Sequence, residues 1–104
     1  MQTRVADFVH DGRRIVAFLE DGGSPGHVSQ PWPQVAERYA QEQGIGLGDA
    51  RWYNVVPERF ANGRPNITEF LPGKRSWNYE ANLALARKII LQLGLDPDTL
   101  PLDL

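Results

Sequence analysis

The sequence predicts a single α+β domain in ββαββα order, with one antiparallel sheet made of two hairpins and both helices packed on one of its faces. Three observations predict it. Two β-branched and aromatic-rich stretches flank Asp11-Gly12. Apolar residues recur at three- and four-residue spacing in two later stretches, the period of a helix with one buried stripe. Clusters of Gly, Pro and Asn punctuate the chain between these segments. A chain of 104 residues fits one domain. Its hydrophobic fraction of 41% and net charge of -2 exclude a disordered chain, which pairs low hydrophobicity with strong charge.

The first hairpin joins Arg4–His10 to Arg13–Glu20. Asp-Gly suits a two-residue turn of type I′, because both central residues must adopt positive φ. That turn sets His10 opposite Arg13, Phe8 opposite Ile15 and Ala6 opposite Ala17. Ala6, Phe8, Ile15, Ala17 and Leu19 then share one face, which carries no charge between positions 6 and 8 or 15 and 19 and is expected to face the core. Val5, Asp7, Val9, Arg14, Val16 and Phe18 share the other.

Asp21–Gly26 reads as a loop. A helix is expected over Pro33–Gln43, with Trp32, Val35, Ala36, Tyr39 and Ala40 as its stripe and Gly44 as a left-handed cap. Trp52, Tyr53, Val55 and Val56 give a third strand that Pro57 weakens or ends, Ala61–Pro65 a turn, and Ile67–Leu71 a fourth strand. Because Pro57 and Pro65 cannot donate to a ladder, this pair is expected near a sheet edge. A final helix starts near Ser76 or Asn78 as cap and runs through Tyr79, Leu83, Ala86, Ile90 and Leu93 until Gly94. Core candidates are Phe8, Ile15, Ala17, Leu19, Val35, Tyr39, Val55, Ile67, Leu83, Ala86 and Ile90. The domain is expected to span 1–94. Residues 95–104 form a Leu/Pro-rich tail whose four leucines predict that it packs on the domain.

No apolar run reaches the length of a signal or a membrane span; the longest is Ile15–Leu19. With no cysteine in the chain, disulfide scaffolds, thiolate zinc sites and cysteine nucleophiles are excluded, and a cytoplasmic protein is expected. Asn66-Ile67-Thr68 fits a glycosylation acceptor, idle in such a compartment.

The catalytic patterns that the chain contains fail on their chemistry. Gly22-Gly23-Ser24-Pro25-Gly26 matches G-x-S-x-G, yet the residue after the serine must donate its N–H to an oxyanion and Pro25 has none. Gly44-x-Gly46-x-Gly48 follows a helix rather than a strand, and Asp49 stands where a dinucleotide fingerprint needs glycine. His10 beside Asp7 and Asp11, and His27 alone, do not supply three convergent metal ligands. No cofactor is expected.

Charge is unevenly spread: residues 1–50 carry -3, residues 51–79 carry +3 and residues 80–104 carry -2. Within the basic middle, Arg51, Trp52, Arg59, Arg64, Lys74, Arg75 and Trp77 interleave cations with aromatic rings, accompanied by Tyr53, Phe60 and Tyr79. Trp, Tyr and Arg dominate protein–protein hot spots. The first functional expectation is therefore a small non-enzymatic module that binds a protein partner through this surface, as a monomer or as a homodimer by edge-strand pairing. Single-stranded nucleic acid is the alternative partner, since cations track phosphates and rings stack on bases. A small enzyme with an unrecognised site is the third reading. Some of these aromatics must also fill the core.

Overall fold

The computed structural model describes residues 3–20, 32–59, 65–72 and 79–99. Strand β1 (Thr3–His10) and strand β2 (Arg13–Glu20) form the expected hairpin. Its register pairs His10 with Arg13, Phe8 with Ile15 and Ala6 with Ala17. Asp11 at φ 50° and Gly12 at φ 74° supply the two left-handed residues of the turn. Helix α1 (Trp32–Gln43) and a 3₁₀ turn (Leu47–Asp49) lead into strand β3 (Ala50–Arg59). Strands β4 (Pro65–Phe70) and β5 (Tyr79–Glu80), helix α2 (Leu83–Gln92) and a 3₁₀ turn (Pro97–Thr99) complete the chain.

The strands lie in one mixed sheet in the order β1-β2-β3-β4-β5. Strand β2 runs parallel to β3, with Ile15 beside Arg51 and Ala17 beside Tyr53; the remaining neighbours are antiparallel. The two expected hairpins thus join through a parallel pair. The reason is topological: α1 carries the chain back across the sheet, and a crossover sets the next strand parallel.

The two helices cover opposite faces, not one. On one face Ala6, Ile15, Ala17, Leu19, Tyr53, Val55 and Ile67 of the sheet cluster with Ala86 and Ile90 of α2, with Phe8 packed against them. On the other face Val16, Phe18, Ala50, Trp52 and Phe70 of the sheet cluster with Trp32, Ala36 and Ala40 of α1, with Val35 and Tyr39 of the helix alongside. Strand β2 is buried on both sides: Ile15, Val16, Phe18 and Leu19 are each at most 1% exposed. Each contributes about 1.5–3 kcal/mol of transfer free energy. Phe18 centres the α1 layer, stacked near Trp32 at 5.8 Å and Trp52 at 6.1 Å, with Tyr39 edge-on at 5.8 Å.

Three further expectations change. Strand β3 is interior rather than at an edge; it continues through Pro57, which weakens it as expected, because the ladder slips there. Val56 pairs with Asn66 but Arg59 with Pro65, so Pro57 sits at the irregularity, where no ladder N–H is needed. Helix α2 begins later than expected, capped by Asn82, whose side chain accepts from the Leu85 N–H at 2.9 Å. Tyr79 belongs to β5, and Leu83 is 50% exposed rather than core. Ser76 and Asn78, the loop Asp21–Gly26, most of the Ala61–Pro65 turn and residues 100–104 lie outside the described residues.

Both helices end alike. Gly44 and Gly94 adopt φ of 69° and 79°, and the next residues, Ile45 and Leu95, return their N–H to Ala40 and Ile90. Each of those residues also packs against the cluster under its own helix. This is the Schellman pattern, with glycine at the position that must be left-handed. In the tail, Leu95 therefore packs on the domain, and Pro97 opens a single 3₁₀ turn that the sequence pattern does not predict.

On the α1 side of β1, Asp7 accepts both Nε and Nη2 of Arg14 and the hydroxyl of Tyr39. The Arg14 guanidinium holds the Asp7 carboxyl below its usual range, with Tyr39 adding to it against a desolvation cost. A carboxylate whose pKa is depressed stabilises the fold above its unfolded value near 3.9, and loses that contribution as pH falls through its folded value. Asp7→Asn is expected to cost about 1 kcal/mol at neutral pH, since the pair is partly solvated. It should also flatten the fall in stability below pH ~4. Urea unfolding at pH 7 and at pH 3 checks both.

Candidate binding site

Strands β2 and β3 both begin, and β4 ends, at one end of the sheet. There a cleft of about 480 Å³ opens, lined by Arg13, Leu47, Gly48, Ala50, Arg51, Trp52, Glu69, Phe70, Leu71 and Pro72. That volume lies within the range of ordinary ligand and peptide-anchor sites. The parallel alignment of β2 with β3 brings Arg13 within the same mouth as Arg51, although the two are far apart in sequence.

Two side chains brace the wall formed by the 3₁₀ turn Leu47–Asp49. The Trp52 indole N–H donates to the Leu47 carbonyl at 2.9 Å, and the Asp49 carboxylate accepts the Gly46 N–H at 2.7 Å. A Cβ at position 46 would meet the Asp49 Oδ2 at 3.0 Å, so glycine lets this turn close.

Arg51 is exposed but held. Its Nε donates to Glu69 Oε2 at 3.0 Å and its Nη2 to Oε1 at 2.8 Å, a bidentate pair on the α2 face of the sheet. The guanidinium also stands 5.7 Å from the centre of the Tyr53 ring. The bond to Glu69 raises the Arg51 pKa further above its ordinary value, so the side chain is a fixed cation. Burial, aided by the charge of Glu69, pushes the Tyr53 hydroxyl up to about 12 and keeps it neutral at physiological pH. Arg13 is different: it lies exposed at the rim and makes no ion pair among the described residues. Among its described residues the cleft therefore offers one free cation, one braced cation, one carboxylate and an apolar wall of Leu47, Phe70, Leu71 and Pro72.

Of the seven residues singled out in the sequence, Arg51 lies in the cleft and Trp52 forms its buried floor. At 2% exposure, Trp52 presents no ring to a partner, because the ring stacks on Phe18 in the core. Arg59 ends β3 at the opposite end from Arg51, roughly 25 Å of extended chain away. Arg64, Lys74, Arg75 and Trp77 lie outside the described residues. Arg13, Leu47, Leu71 and Pro72 line the cleft without being marked by the interleaved pattern. A crossover through a helix between β2 and β3 is the available signal, since it implies the parallel pairing that brings Arg13 to Arg51.

Among the described residues, no three His, Asp or Glu side chains gather as metal ligands, and no helix is long and apolar enough to cross a membrane. The fold and cleft define a small α+β domain with a mixed sheet layered between two helices. No family model, curated protein or solved structure matches the chain.

Proposed function

We propose that this chain is a non-enzymatic binding module that docks a segment of a protein partner in the cleft at the start of β2 and β3. The segment it suits is acidic with at least one bulky apolar side chain. A single observation carries this reading: Arg13, which makes no ion pair among the described residues, and a braced Arg51 line one cleft together with Leu47, Phe70, Leu71 and Pro72. A free arginine at an apolar cleft recognises a carboxylate by charge-assisted hydrogen bonds, while the wall takes the apolar residue. The burial of Trp52 takes away one ring on which single-stranded bases would stack, which weighs against nucleic acid.

The test is selection from a displayed random-peptide library with the whole chain as bait. Enriched peptides are expected to combine Asp or Glu with Leu or an aromatic residue. Arg13→Glu, a surface change, should weaken a synthetic consensus peptide roughly tenfold or more while the far-UV spectrum stays unchanged. Basic consensus peptides, or binding indifferent to Arg13→Glu, would overturn the reading. Tight binding of oligo(dT) that weakens steeply with salt would favour nucleic acid instead.

A further inference from the structure

We propose that β1 pairs antiparallel with β1 of a second copy, making one continuous sheet across a two-fold axis at Asp7. Strand β1 ends the sheet order, so one side of its backbone has no neighbouring strand among the described residues. The residues flanking a two-residue turn form a hydrogen-bonded pair. His10 and Arg13 flank this one, so Arg4, Ala6, Phe8 and His10 turn their backbone groups toward β2. Val5, Asp7 and Val9 turn theirs outward. The contact from Lys88 Nζ to the Val9 carbonyl, at 3.4 Å, comes from that open side. A carbonyl accepts two bonds, so this lysine and a partner strand can share it.

Edge strands are ordinarily guarded by proline, a bulge or an unpaired charge. Here eight consecutive pairs run without a bulge, and the strand contains no proline. The carboxylate of Asp7, on the α1 face at this edge, is neutralised within its own chain by Arg14 and accepts a further hydrogen bond from the Tyr39 hydroxyl. On either side of it, Val5 and Val9 are 38% and 64% exposed. They share the α1 face, yet no β1 residue belongs to the cluster beneath α1.

The strand is complementary to itself, and that symmetry is why a second copy rather than a foreign strand is the occupant. Read in either direction from Asp7, the pattern is a valine two residues away. Centring the pair on Asp7 sets Val5 against Val9 of the other copy, and the reverse. Phe18 pairs with Val5 across β2, so the row Phe18, Val5, partner Val9 extends the apolar α1 layer over the junction. The two Asp7 carboxylates face one another, each already matched by an arginine. Shifting the strands by one pair would put Val5 against Asp7 and lose both valine contacts.

Sedimentation of the whole chain from about 10 µM to about 1 mM is the first arm. A concentration-dependent dimer is expected, and Val9→Lys should weaken it roughly tenfold or more without altering the circular dichroism of the monomer. The second arm uses the absence of native cysteine. A chain carrying Val5→Cys and Val9→Cys should give a disulfide-linked dimer under mild oxidation, whereas Val5→Cys alone should not. A monomer throughout the range overturns the proposal. So does a dimer indifferent to Val9→Lys, or one in which Val5→Cys alone cross-links.

Discussion

Phe18→Ala is expected to destabilise the protein by about 3–5 kcal/mol, the usual cost of truncating a fully enclosed phenylalanine. The ring is 1% exposed and touches Trp32, Tyr39, Trp52 and Phe70. All four are large and rigid, and they stand on strands or a helix that cannot collapse inward without breaking ladders. The cavity would therefore stay open, placing the effect toward the upper end. Against the total stability of a small domain, roughly 5–15 kcal/mol, such a loss removes a large fraction. Equilibrium urea unfolding followed by tryptophan fluorescence measures it, with Phe18→Leu expected to recover part of the loss.

Leu19→Ala should cost about 2–5 kcal/mol for a separate reason. Leu19 is fully buried, but it points the other way, into the cluster beneath α2 with Ile15, Val55, Ile67 and Ile90. Two adjacent residues of one strand then carry comparable large penalties. A sheet with a wet face cannot show this, because alternate residues of its strands lie in solvent and tolerate truncation. The same urea experiment distinguishes the cases: near-equal losses support two covered faces, and a negligible loss at Phe18 does not.

What the sequence makes legible is mostly local. Asp11-Gly12 fixes the hairpin register because a two-residue turn leaves the flanking strands no freedom to slip. Gly44 and Gly94 mark both helix ends because only a left-handed residue lets the next N–H reach back. The layering of the helices depends on pairings between distant segments, and there local patterns mislead. Alternation along Ile15–Leu19 predicts a strand with one wet face. Its five apolar residues in a row are instead the mark of a strand buried on both sides. The helical stripe extends back to Tyr79 because Tyr79 and Leu83 fall at helical spacing, although one is in β5 and the other is exposed.

The candidate site is legible only in part, for the same reason. Arg51 stands out by composition, and the cleft does contain it. Trp52 stands out equally, but alternation along β3 turns neighbours to opposite faces. Arg51 emerges beside Glu69, while Trp52 goes under α1. Arg13 draws no attention because its importance depends on β2 lying parallel to β3. No feature near Arg13 in the sequence reports that pairing.

Helices α1 and α2 occupy opposite faces of one sheet whose open end forms the cleft. Proton–proton NOEs from the side chains of β2 test this arrangement most directly. The Phe18 ring should give cross-peaks to the Trp32 and Trp52 indoles, while Leu19 and Ile15 methyls share cross-peaks with the Ile89 and Ile90 methyls and none with Trp32. Cross-peaks from Phe18 to Ile89 or Ile90, or from Trp32 to Leu19, would put both helices on the same side and contradict the account.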